Sequence, residues 1–80
     1  MTEILGAIDL GASSGRVIAG VLSESELQLH EIARFPNGPV ADGEKLYWDF
    51  DALWGAIKVG LNKLGDFAAE RDSKVKSIGI

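Results

Sequence analysis

The residues best placed to do chemistry form one short block, Asp9-Leu10-Gly11-Ala12-Ser13-Ser14-Gly15-Arg16. An acid that closes an apolar strand projects its carboxylate at the strand end, where it can hold a hydrated divalent cation. Gly11 and Gly15 permit backbone angles and close approach that a Cβ forbids, so successive N–H groups can turn inward as an anion nest. Ser13 and Ser14 add hydroxyl donors, and Arg16 offers a planar charged fork to phosphate oxygens. A cation ligand at Asp9 and a donor-rich turn over Gly11, Ala12, Ser13, Ser14, Gly15 and Arg16 converge on a polyphosphate. The block matches neither GxxxxGK(S/T) nor GxGxxG, both of which run from strand into helix. Here strand leads to strand. A plain β-turn of small and hydroxyl residues, with a solvated Asp and Arg, accounts for the same letters.

The elements that must position this block follow from periodicity. Ile4 to Asp9 is a short apolar run and Arg16 to Leu22 another, rich in β-branched residues, so both read as strands buried on two faces. The turn between them is too short for a crossover helix, which makes them antiparallel neighbours. From Leu27 to Phe35, Leu27, Leu29, Ala33 and Phe35 fall on one face and Gln28, His30 and Arg34 on the other: a half-exposed third strand, suited to an edge. Pro36 to Tyr47 loses all periodicity, and Asn37-Gly38, Pro39 and Asp42-Gly43 mark an irregular loop. Asp49 then caps a helix, and Asp51 suits its positive end. Its apolar stripe is Phe50, Leu53, Trp54, Ile57, Leu61, Leu64 and Ala68. Gly55, Gly60 and Gly65 lower helix propensity, a cost that close packing against a neighbour would explain. After polar Glu70 to Lys74, Val75 to Ile80 reads as a fourth strand, parallel to the first and reached by a right-handed crossover. The fold class is α/β: three antiparallel strands, a helix and a parallel strand. The stop at Ile80, in what should be sheet interior, reads as a fragment.

Other residues have plainer readings. His30 stands alone in a half-exposed strand, without a second ligand type at metal spacing, and reads as a solvated histidine. Trp54 falls on the helix stripe and reads as core, whereas Trp48, at the loop end, suits either packing or stacking on a sugar ring. Asp49 and Asp51 are accounted for by helix capping rather than catalysis. Lys58, Lys63, Lys74 and Lys76 are scattered surface.

Composition narrows the partners. Eighty residues bury only about 60% of the surface the unfolded chain exposes, and with no cysteine no disulfide or thiolate metal site supplements the core. Eight basic and twelve acidic residues give a net charge of -4, with no basic stripe to neutralise a nucleic-acid backbone. The start lacks the basic region of a signal peptide, and no apolar run approaches a membrane span. The expectation is a soluble cytoplasmic protein without nucleic-acid or membrane partners.

Asp9-Leu10-Gly11-Ala12-Ser13-Ser14-Gly15-Arg16-Val17 resembles the first phosphate loop of the FGGY carbohydrate kinases, members of the actin, Hsp70 and sugar-kinase superfamily. Three strands, a helix and a strand match the ribonuclease H-like half-domain of that superfamily. Ala12, followed by Ser13-Ser14-Gly15-Arg16, is similar to the rhamnulokinase branch. So are His30-Glu31-Ile32-Ala33-Arg34-Phe35-Pro36-Asn37-Gly38, Tyr47-Trp48-Asp49-Phe50-Asp51 and Gly60-Leu61. The resemblance implies that residues 1–80 are the amino-terminal part of the first kinase domain. It implies ATP and magnesium as cofactors, Asp9 near the metal, and the turn from Ala12 to Arg16 on the ATP phosphates. It implies phosphorylation of a ketose, L-rhamnulose at its 1-hydroxyl, with the general base and the adenosine pocket beyond Ile80. Ala12 lacks a hydroxyl that many relatives carry, so one phosphate contact is weaker or supplied elsewhere. Alone, the 80 residues are expected to be inactive and to self-associate. A kinase for another sugar such as xylulose, a nuclease using Asp9, and a non-catalytic nucleotide-binding module remain alternatives.

Overall fold

Alternating apolar and small side chains build a mixed sheet here, and one long helix lies across one of its faces. The computed structural model describes residues 2–43 and 45–80. Strands β1 (Glu3–Leu10), β2 (Ser14–Leu22) and β3 (Leu27–Pro36) pair antiparallel in chain order. Two short strands, β4 (Val40–Asp42) and β5 (Lys45–Tyr47), form a separate hairpin. Helix α1 (Phe50–Glu70) then leads to β6 (Val75–Gly79), which lies parallel to β1 and gives the sheet order β3-β2-β1-β6. This is the expected α/β order of three antiparallel strands, a helix and a parallel strand.

The core sits between α1 and one side of the sheet. Ile4, Ile8, Val17, Ala19 and Phe35 from the strands meet Ile57, Leu64 and Ala68 from the helix. Close approach is made possible by missing side chains. A Cβ on Gly60 would lie 2.5 Å from Val17 Cγ2, and one on Gly6 would lie 2.6 Å from Leu64 Cδ2. Gly55 and Gly65 have nothing within 4 Å of that position, so packing explains only one of the three helix glycines. Asp49 caps the helix as expected, its carboxylate accepting from the Ala52 N–H at 3.0 Å. The other end closes with Asp72 in the left-handed region, φ 53°. The N–H groups of Asp72 and Ser73 turn back to the carbonyls of Ala69 and Ala68, a Schellman arrangement made without glycine.

Four expectations are corrected. β1 and β2 are not fully buried on two faces: on β1, Ile4, Gly6 and Ile8 are covered by the helix side while Ala7 and Asp9 are exposed, and on β2, Arg16 and Ile18 of the other face are half-buried. β3 carries a register shift between the pairs Val17–Ala33 and Ile18–Glu31. The extra residue, Ile32, reverses the strand's alternation, so Leu27 and Leu29 lie on the open face whereas Gln28, His30, Ala33 and Phe35 lie on the helix face. His30 is therefore not a solvated outer residue; its ring packs against Phe67 at 5.2 Å. The supposed irregular loop contains the β4–β5 hairpin, whose turn includes Gly43 at φ 64°. Finally, Phe50 and Trp54 are not core, being 69% and 47% exposed. The stripe is instead centred on Ile57, Gly60, Leu64 and Ala68, with Phe67 packed beside it.

Candidate functional site

Antiparallel register places Asp9 directly opposite Arg16, and Arg16 directly opposite Arg34. The bulge then brings Glu31 to the same open face, opposite Ile18. Four charged side chains so form a ladder across three strands. Arg16 Nε and Nη2 both donate to Asp9 Oδ2, at 3.2 and 2.5 Å, and Arg16 Nη1 stands 4.0 Å from Glu31 Oε1. Arg34 Nε and Nη2 donate to that same Glu31 oxygen at 3.1 and 2.7 Å. The hydrogen bond and charge of Asp9 hold the Arg16 guanidinium above its ordinary pKa, and the hydrogen bond from Arg34 holds Glu31 below the usual carboxylate range. All of these groups are partly open to water, so the ladder is screened and its members can exchange partners at little cost.

The expected phosphate turn joins β1 to β2 at the end of this ladder. Gly11, Ala12 and Ser13 are exposed. The Gly11 N–H donates to the Ser14 carbonyl at 2.9 Å. Among the described residues, the N–H groups of Ala12 and Ser13 and the hydroxyls of Ser13 and Ser14 have no hydrogen-bond partner. The turn therefore offers a set of unspent donors beside a guanidinium. The glycines serve it in one of the two expected ways. Neither Gly11 nor Gly15 adopts positive φ, so the chain does not use their left-handed freedom. What it uses is their lack of a Cβ. One on Gly11 would lie 3.1 Å from the Ser14 carbonyl, and one on Gly15 would lie within 2.5 Å of two Phe35 ring carbons.

Asn37 was legible in the sequence as a loop marker and as part of a resemblance block, but not as a partner of the turn. It straps the turn from across the sheet: its N–H donates to the Ser13 carbonyl at 3.1 Å and its Nδ2 to the Gly11 carbonyl at 2.6 Å. Beyond it opens a cleft of about 650 Å³ between the turn and the start of α1, lined by Ala12, Ser13, Phe35, Asn37, Trp48 and Leu53 among others. Trp48 stands half exposed at its rim.

Asp9 fits a hydrated magnesium ion as a single carboxylate ligand, the mode in which that ion keeps most of its waters. Its Oδ1 has no protein donor among the described residues. Its Oδ2 is committed to Arg16, so binding a cation there favours displacement of the guanidinium. No cluster of three or more His, Asp or Glu suited to a metal occurs among the described residues. A lone carboxylate thus suits a cation that arrives already carrying other oxygen ligands.

Comparison with known proteins agrees with the motif blocks. No family model matches the chain. The chain is 46% identical over all 80 residues to a rhamnulokinase of Bacteroides thetaiotaomicron. Over 60 residues, 75% of its length, it is 43% identical to a rhamnulokinase of Oceanobacillus iheyensis. It spans 16% and 13% of the lengths of these two relatives. The resemblance to the FGGY sugar kinases, and to their rhamnulokinase branch, is therefore carried by the chain as a whole.

Proposed function

We propose that this rhamnulokinase-like segment supplies the first phosphate-binding turn of an ATP-dependent sugar kinase. In that reading Gly11, Ala12, Ser13, Ser14, Gly15 and Arg16 receive the nucleotide phosphates, and Asp9 holds magnesium through its water shell. The acceptor is a ketose, L-rhamnulose at its 1-hydroxyl, and the products are the sugar 1-phosphate and ADP. The cytoplasm is the compartment that reading implies, and no helix among the described residues is long and apolar enough to cross a membrane.

The observation that carries the proposal is the pairing of an exposed turn of unspent donors with an exchangeable Asp9–Arg16 ion pair. Phosphoryl transfer asks a protein for positioning and for charge stabilisation rather than for covalent chemistry. The Ala12 and Ser13 N–H groups and the two serine hydroxyls supply donors that need no reorganisation away from other partners. Arg16 can leave Asp9 for a phosphate oxygen, and the carboxylate so released offers its charge to a cation. Each ion then exchanges one opposite charge for another. Magnesium bound there neutralises phosphate oxygens. The base that accepts the sugar proton, the adenosine pocket and the sugar contacts are assigned to chain beyond residue 80.

The test is steady-state ADP release by the full-length enzyme carrying this segment. Asp9→Asn keeps the shape and removes the charge, so kcat should fall well beyond any change in folding. Ser13→Ala and Arg16→Ala should each lower kcat/KM for ATP by roughly ten- to a hundredfold, the effect of removing a charge-assisted hydrogen bond to the transition state. The KM for sugar should stay near its starting value. Sugar affinity falling as far as kcat/KM for ATP would make the turn a sugar site instead. Parallel assays with L-rhamnulose and D-xylulose decide the acceptor.

A further inference from the structure

The strap from Asn37 fixes more than the position of the turn. In a planar trans peptide the carbonyl and the N–H that follows it point in opposite directions, and the described chain has no cis peptide. The Gly11 carbonyl faces Asn37 Nδ2, so the Ala12 N–H is sent to the opposite side of the turn. The Ser13 carbonyl faces the Asn37 N–H, so the Ser14 N–H is sent the same way. A two-residue hairpin ordinarily closes by bonding its first carbonyl to the N–H three residues on. Here Asn37 Nδ2 donates to the Gly11 carbonyl, and no hydrogen bond from the Ser14 N–H back to that carbonyl closes the turn. An exposed turn of Gly, Ala and Ser would otherwise sample many peptide orientations, and ordering them would be charged against ligand binding.

We infer that Asn37 is a positioning residue for nucleotide: by holding the Gly11 and Ser13 carbonyls, it presets the Ala12 and Ser14 N–H groups as a pair of phosphate donors. The inference rests on the reading of this turn as the ATP phosphate site. Asn37 touches no phosphate in this scheme; it acts through the peptide planes.

The experiment compares Asn37→Ala, Asn37→Asp and Ser13→Ala in the full-length enzyme. It measures the Kd for MgATP by calorimetry, the KM for each substrate, and thermal stability. Asn37→Ala removes the side-chain donor without adding charge, while Asn37→Asp keeps the size and replaces the donor with an acceptor. Both should weaken MgATP by about three- to tenfold, as expected for one neutral hydrogen bond that orders a site. Sugar KM should not move. A merely structural role would lower thermal stability and weaken both substrates alike, and that result would overturn the inference. Unaltered MgATP affinity in both Asn37 variants, with Ser13→Ala still weakening it, would overturn the inference and spare the phosphate reading. Unaltered affinity in all three would overturn both.

Discussion

At Gly15 the missing side chain matters more than the backbone freedom. Its place in a small-residue block suggested both backbone freedom and close approach; its φ is not positive, and the Phe35 ring occupies the space where a side chain would stand. The cross-strand pairing of Gly15 with Phe35 puts that ring across the base of the β1–β2 turn. Gly15→Ala would gain some stability from a less flexible unfolded chain, by about 0.4 to 1 kcal/mol. The ring must also move, at a cost of about 1 to 3 kcal/mol for overpacking a core site, so the overlap wins. Urea unfolding should show net destabilisation, and adding Phe35→Leu should recover part of it. An unchanged midpoint for Gly15→Ala would mean that the ring has room to turn aside. Asp9, Ser13 and Arg16 could be nominated from residue type and strand-end position alone. The Asp9–Arg16 pairing could not, because it depends on cross-strand register, which the letters of one strand do not contain.

At the scale of elements, α1 separates two reasons for a helical glycine. Gly60 faces Val17, a stiff β-branched side chain with no exposed surface, and cannot gain a methyl without displacing the sheet. Gly55 and Gly65 face open space. Gly55→Ala and Gly65→Ala should each stabilise the protein by up to about 1 kcal/mol through helix propensity alone, and Gly60→Ala should destabilise it by about 1 to 3 kcal/mol. Thermal melts of the three variants check the signs; a stabilising Gly60→Ala would show that helix and sheet can move apart freely. Periodicity found the helix and its cap because a repeat over 21 residues averages out local error. It misplaced the edges of the stripe, since Trp54 is as apolar as its neighbours yet falls a few tens of degrees outside the contact, where Lys58 Nζ stands 5.9 Å from its ring. It failed in β3 for a different reason. One bulged residue inverts every side chain on one side of it, and a bulge leaves no mark in composition. The β4–β5 hairpin escaped because three-residue strands are too short to display alternation.

At the scale of the whole molecule, one helix covers one face of a four-stranded sheet. The radius of gyration is 14.9 Å, against about 12 Å for a compact domain of this size. The open face changes character along the strands. Near the turn it carries the Asp9, Arg16, Glu31 and Arg34 ladder, whose charges discourage contact. Toward the other end lie Leu5, Ile18, Leu22, Leu27 and Leu29, with Leu27 and Leu29 58% and 69% exposed on β3. Apolar surface gathered in this way favours association, and the outer edges of β3 and β6 offer unpaired backbone besides. The 80-residue chain alone should therefore self-associate as its concentration rises, and light scattering should report a mass above 8.5 kDa. The same sample should give no sugar-dependent ADP release, because it offers one proposed phosphate turn and one candidate metal carboxylate, while the base for the acceptor proton is assigned to chain beyond residue 80. Leu27→Lys with Leu29→Lys distinguishes the two routes. If the open face drives association, charge placed there should restore the monomer, whereas association through the strand edges should persist. A chain that stays monomeric at several hundred micromolar would show that the leucines pack against one another well enough to leave no surface worth burying. Turnover comparable to an ordinary kinase would show that these 80 residues hold a complete catalytic site.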